Sequence, residues 1–286
     1  MKKIYVCALA VLGLLYSCSN SDDDTNHDAK LIVKLKFDKD QVRLNNVGEP
    51  ATIAPGHAAQ TPEMKLMSAH YLELAPNATT LLGEGEVLYK GEETSKGGES
   101  AIDFNKSILV EDGEVFLEIP LSQLNPGTYS WVRISASYEE GDIKILNDGN
   151  EYNGTVAAFL GYINYIESFS INEETVEVNE NKLQGFWAFE AEGLVFQGQA
   201  PEGAITVPNP LFETSPIPEG SCVLTGEFSN ALKISGNETQ DITLTLSFSV
   251  NNSFEWEEVV NDGKYEPTAG ENVVDMGLRG LIPSIN

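Results

Sequence analysis

Residues 242–250 read Ile242-Thr243-Leu244-Thr245-Leu246-Ser247-Phe248-Ser249-Val250, with an apolar side chain at every even position and a hydroxyl at every odd one. Successive side chains of an extended strand point to opposite faces, so a period of two builds a strand with one buried and one wet face. Leu31-Ile32-Val33-Lys34-Leu35-Lys36-Phe37 repeats the pattern far upstream, with Lys34 and Lys36 on the wet side. Shorter stretches of the same kind cover 66–74, 115–119, 129–138, 175–178, 186–192 and 223–228. Asp112-Gly113, Pro126-Gly127, Asp148-Gly149 and Asp262-Gly263 supply turn residues between them. Many short strands separated by Gly and Pro predict an all-β chain, an antiparallel β-sandwich of immunoglobulin-like or related Greek-key architecture. Residues 156–166 also fit helical spacing, but Gly161 and the β-branched residues of the stretch favour strand. The Pro-containing stretches 50–62 and 200–220 read as long loops, of the length that often carries function.

Upstream of the first strand the chemistry changes. Lys2 and Lys3 precede an uninterrupted apolar run from Ile4 to Leu15, the charge and length of a signal peptide. The run is too short to span a bilayer, and no later stretch is long and apolar enough to do so. Leu15-Tyr16-Ser17-Cys18 follows, with Leu three places before the Cys and a small residue just before it. That arrangement resembles a bacterial lipobox, although Tyr16 is bulkier than the pattern usually carries. The resemblance implies cleavage after residue 17 and acylation of Cys18 by chains such as palmitate. At about 0.8 kcal/mol per buried CH₂, several acyl chains make attachment effectively permanent. Residues 18–29 are then a polar, acidic and disordered tether, and 30–286 a single β-sandwich domain. Within the tether, Ser21-Asp22-Asp23-Asp24 resembles the export signal of Bacteroidota surface lipoproteins. It implies an outer-membrane protein facing the extracellular medium.

Charge and cysteine usage narrow the partners. The formal net charge is −27, which excludes nucleic acid, whose phosphates need Lys and Arg, and disfavours lying flat on anionic lipid. Contact with the membrane runs through the N-terminal lipid alone. Cys7 leaves with the signal peptide and Cys18 is acylated, so Cys222 is the remaining thiol and no intramolecular disulfide is expected. Cys222 sits in a strand pattern, where a lone Cys serves as a small buried hydrophobe.

Enzyme signatures are missing: there is no GxSxG, HExxH, Walker loop or CxxC, and all three histidines fall before residue 71. A binding or accessory module is therefore expected rather than an enzyme, its ligand a protein, a glycan or a metal. A glycan hydrolase using a carboxylate pair is one alternative, since the abundant Asp and Glu nominate no particular two. The densest soft-ligand cluster is His57, Met64, Met67 and His70, whose imidazole and thioether groups suit copper. A regular strand would put Met64 and His70 on one face and turn Met67 away, so the four meet only if a loop intervenes. Neither acidic Asx-Gly turn fits an EF-hand-type register, which leaves Glu257, Asp262, Glu266 and Glu271 as an irregular oxygen set for calcium. Trp256, flanked by Glu255, Glu257 and Glu258, is the tryptophan expected to be exposed and to stack on a ligand such as a sugar ring.

Three segments together carry a second resemblance. The opening strand 31–37, the central Gly185-Phe186-Trp187-Ala188-Phe189-Glu190-Ala191-Glu192-Gly193, and the strand of the 240s with its acidic Trp-containing continuation resemble MbnP-like proteins. That family implies a β-sandwich and copper binding. Its members tend to place a histidine after the aromatic-Glu-Gly strand, and here Val195-Phe196-Gln197 and everything beyond it carries none.

Overall fold

The two alternating stretches become hydrogen-bonded neighbours. The computed structural model describes residues 28–200, 215–218 and 220–286, so the segment read as a signal peptide, Cys18 and the run Ser21 to Asp24 lie outside the described residues. Numbered along the chain, the first strands are β1 (Lys30–Asp38), β2 (His57–Gln60), β3 (Glu63–Ala75), β4 (Glu86–Lys90), β5 (Glu93–Thr94) and β6 (Ala101–Asp103). The middle strands are β7 (Val115–Pro120), β8 (Gly127–Asn147), β9 (Asn150–Phe159), β10 (Ile163–Ile171), β11 (Glu174–Leu183) and β12 (Phe186–Ala191). The last are β13 (Leu194–Gln199), β14 (Cys222–Ile234), β15 (Ile242–Ser249), β16 (Phe254–Glu257), β17 (Val273–Asp275) and β18 (Leu281–Ile285). No α-helix occurs among the described residues. The ambiguous stretch 156–166 resolves as the end of β9 and the start of β10.

β1 pairs with β15 from Leu31 opposite Ile242 to Asp38 opposite Ser249, and the pairing is parallel. Strands from opposite ends of a chain are not joined by a hairpin, so nothing imposes the antiparallel direction that dominates elsewhere. With β7 and β18 they form a four-stranded sheet, order β18-β15-β1-β7. Its buried face carries Leu31, Val33, Leu35, Leu244, Leu246 and Phe248, the residues that alternation assigns to one side.

That face packs on a seven-stranded sheet in the order β13-β12-β9-β8-β3-β4, with β14 added beside β8. β8 organises it. Its residues 131–136 lie between β3 and β14, and from Tyr138 onward β9 takes the place of β14. Along β9, Ala158 belongs to the core under the four-stranded sheet and Val156 to that under the small sheet β17-β16-β2, while Ala157 and Phe159 face the opposite way. These two cores, one large and one small, therefore share one face of the long sheet, and Met276 packs into both. The other face is covered by the sheet β11-β10-β6-β5 through Ile166, Phe169, Ile171 and Val176, and beside it by Leu82 and Ile217 over Tyr71 and Val223. Cys222 lies in the largest core, and burial pushes its thiol up.

Two hairpins end in tight turns where positive φ is required. Asp148-Gly149 (φ 49° and 76°) joins β8 to β9, and Glu192-Gly193 (φ 53° and 76°) joins β12 to β13. Of the other turn pairs read from sequence, Pro126-Gly127 instead leads into β8 and Asp262-Gly263 lies in the loop between β16 and β17. The first described residues sit at the end of β7, shortly before β8 begins: Leu121 N–H donates to the Ala29 carbonyl at 2.7 Å, and Lys30 pairs with Pro120. At about 3.3 Å per residue, the run from Gly127 to Asp142 carries β8 roughly 50 Å from that end.

Candidate functional site

At the far end of β8 the seven-stranded sheet and the β10–β11 hairpin part, and polar side chains fill the gap. Asp142 follows Tyr138 and Glu140 on one face of β8, Thr155 lies opposite Asp142 on β9, and Lys65 enters from β3. Lys65 Nζ reaches Asp142 Oδ1 at 2.6 Å, Asn172 Oδ1 at 2.7 Å and Thr155 Oγ1 at 3.0 Å. The Thr155 hydroxyl donates to Asp142 Oδ1 at 2.6 Å, and Asn172 Nδ2 donates to Glu190. Glu190 Oε1 also accepts Gly193 N–H at 2.8 Å. Deeper in, Glu140 accepts the Tyr138 hydroxyl at 2.8 Å. Burial pushes its carboxyl up and Asp142 adds to this, against the opposing pull of Tyr138 and Lys65.

An open cleft of about 410 Å³ lies above this network, lined by Asn172, Glu173, Glu174, Glu190 and Gly193. The lining offers three carboxylates and no cation, so it accepts hydrogen bonds and repels anions. Amines, guanidinium groups and sugar hydroxyls match it; phosphates and carboxylates do not.

The structure does not bring His57, Met64, Met67 and His70 together. His57 Nδ1 lies 2.8 Å from Glu255 Oε1 in the small sheet. Met67 is in the largest core, and the Met64 sulfur lies against Gly141. His70 lies on the other side of the long sheet, its ring 5.6 Å from that of Tyr162. It occupies a bulge in β3, between Ala69 and Tyr71, a feature that re-aims a side chain. Burial pushes its imidazole down to about 4, so at neutral pH it is uncharged, and the 3.2 Å approach of Nε2 to Glu93 is not an ion pair. Among the described residues no three His, Cys, Asp or Glu side chains converge as metal ligands.

Trp256 corrects the expectation of exposure: it is 0% exposed, packs against Phe254 and Tyr265, and donates Nε1–H to Glu258 at 2.8 Å. The acidic set around it is occupied as well. Glu271 accepts the N–H groups of Val259, Val260 and Glu266, Glu257 accepts Asn272 Nδ2, and Asp262 accepts Lys264 N–H.

A buried ionic network joins the small sheet to β8. Glu255 accepts Arg43 Nη2 at 2.6 Å, Arg279 Nη2 at 3.1 Å and His57, and Arg279 also meets Asp275 at 3.1 Å. Burial alone would raise the Glu255 carboxyl, but His57, Arg43 and Arg279 hold it below its ordinary value. Glu139, on the face of β8 opposite Tyr138, is buried beside Gly277 with Oε2 unpaired. Burial pushes it up to about 8, with Asp275 adding to the shift and Arg279 opposing it. Asp275 itself is pushed up to about 6 by burial, against the pull of Arg279. Arg43 and His57 reach Glu255 across about two hundred residues of sequence, and sequence spacing gives no sign of that meeting.

Comparison of the chain with protein-family models, curated proteins and solved structures finds no match in any of the three.

Proposed function

We propose that this chain is a lipid-anchored binding or accessory module of the bacterial outer membrane, facing the medium, held at Cys18 and binding its ligand at the opposite end of the fold. The observation that carries the reading is the course of β8. The first described residues lie against the end of β7, shortly before β8 starts, and the carboxylate-lined cleft lies level with Asp142, late in β8. A module anchored in this way presents its cleft away from the membrane surface, where a large ligand meets it without competing with lipid. The hydrogen-bonding groups of the cleft suit recognition, and its three carboxylates are also the groups that the glycan-hydrolase alternative would use.

Two measurements test the anchoring. Cys18→Ser is expected to leave the protein as uncleaved precursor or release it to the soluble fraction; normal fractionation with membranes would overturn the proposal. Replacing Asp22, Asp23 and Asp24 by Ala is expected to hide the domain from protease added to whole cells while membrane attachment persists. If cleavage of the domain on intact cells is unchanged, the acidic run is a linker only.

A further inference from the structure

Exposed strand edges invite pairing with other chains, and most edges here are guarded. β18 carries Pro283, β7 carries Glu118 and Pro120, and β4 carries Glu86 and Lys90. β11 carries Glu174, Glu177, Glu180 and Lys182 and a register shift, β14 carries Glu227, Lys233 and a register shift, and β5 and β17 are only two and three residues long. β2 is four residues long, and the Gln60 side chain clamps it to the Lys144 backbone.

β13 differs from all of these. Leu194-Val195-Phe196-Gln197-Gly198-Gln199 has no charge, no proline and no bulge, and among the described residues β12 is its one strand partner. One of its faces is apolar and open. Leu194 is 62% and Phe196 55% exposed, Phe196 sits opposite Phe189, and the Trp187 ring covers Gly198 so closely that a Cβ there would lie 2.2 Å from it. Val195, on the other face, packs into the core. At the turn end of the strand lies the acidic cleft of Glu173, Glu174 and Glu190, with Glu192 in the turn itself. From Ile163 to Gln199 the sequence holds seven Glu and a single Lys or Arg, Lys182.

We propose that β13 is a docking edge for an extended, basic segment of a partner protein, which adds as a further strand, lays alternate apolar side chains on Leu194, Phe196 and Trp187, and sets a basic end group in the acidic cleft. Backbone pairing supplies affinity and the alternating pockets supply selectivity, as in other strand-addition complexes. A second copy of this chain fits less well, since a net charge of −27 repels itself. The inference names the partner for the ligand end proposed above, but its test does not depend on the lipid.

The test uses the full chain purified in detergent and a fluorescein-labelled peptide about ten residues long, alternating Val and Thr with two Lys at one end. Expected are saturable binding, slowed amide exchange across Leu194–Gln199, and affinity at least about tenfold weaker in the double variant Leu194→Lys, Phe196→Lys. The same peptide N-methylated at alternate amides should not bind, which separates strand addition from charge attraction without altering the protein. No binding up to about 1 mM, or equal binding of the N-methylated peptide, would overturn the proposal. So would exchange at Leu194–Gln199 that is already slow without peptide and becomes fast when residues 201–214 are deleted, because the chain would then cover its own edge. A dimer abolished by Phe196→Lys would assign the edge to a second copy instead.

Discussion

Removing the Glu255 carboxylate should destabilise the fold by about 3–5 kcal/mol, because Glu255→Ala leaves the Arg43 and Arg279 guanidinium groups facing each other at a buried site with their shared anion gone. His57 loses its partner at the same time, and the small sheet loses its link to Arg43. Thermal unfolding near pH 7 should show a drop on the order of 10 °C for a chain of this size. The sign with pH follows from the direction of the shift. A carboxyl held below its ordinary value contributes stability that is full above the unfolded value and is lost as pH falls through the folded one. The gap between wild type and Glu255→Ala should therefore be widest near neutrality and narrow on acidification. A loss below about 1 kcal/mol at pH 7 would mean that the network is a surface feature in solution.

Glu139→Gln should act in the opposite sense and at the opposite end of the pH range. Glu139 lies under the 275–279 segment, facing Asp275, Arg279 and, nearby, Cys222. Its carboxyl is raised from 4.5 to about 8, so the folded state holds a proton that the unfolded chain releases. Such a group contributes fully below the unfolded value, and its contribution falls as pH rises through the folded one. At about 1.4 kcal/mol per unit, the wild type loses on the order of 5 kcal/mol between mildly acidic pH and pH 9. An amide of the same shape does not titrate. Glu139→Gln should match the wild type near pH 5 and exceed it by several kcal/mol at pH 9, roughly 10 °C in unfolding temperature. Parallel unfolding curves for the two proteins from pH 5 to 9 would show that Glu139 is charged throughout.

These two residues also explain where sequence reading stopped. The strands 31–37 and 242–250 were legible because each has one wet face, and a period of two is the direct record of that. The second half of β8 was not. Glu139-Glu140-Gly141-Asp142 carries three carboxyls and a glycine, the composition of a turn, yet it continues the longest strand in the molecule. Its carboxyls are tolerated because Tyr138, Lys65 and Thr155 satisfy one face and a retained proton neutralises the other. Trp256 misled for the same reason. Its acidic neighbours suggested water, and Glu257 is indeed exposed, but Glu255 faces two arginines and Glu258 takes the indole N–H. A charge that is paired inside the protein and a charge that is solvated look alike in sequence. The cleft was illegible for a related reason: Lys65, Asp142, Asn172 and Glu190 meet only after four strands have paired.

The pairing of β1 also sets how the domain bears load. If lipid holds Cys18 and a partner pulls on the far end, tension enters the fold at Lys30, the first residue of a strand bonded to β15 on one side and β7 on the other. Ladder bonds run across the strands on the antiparallel β7 side and at a slant on the parallel β15 side, so a pull along β1 strains the ladders on both sides together instead of parting them one bond at a time. An anchor at Cys18 would thus load β1 in shear, against both of its ladders at once.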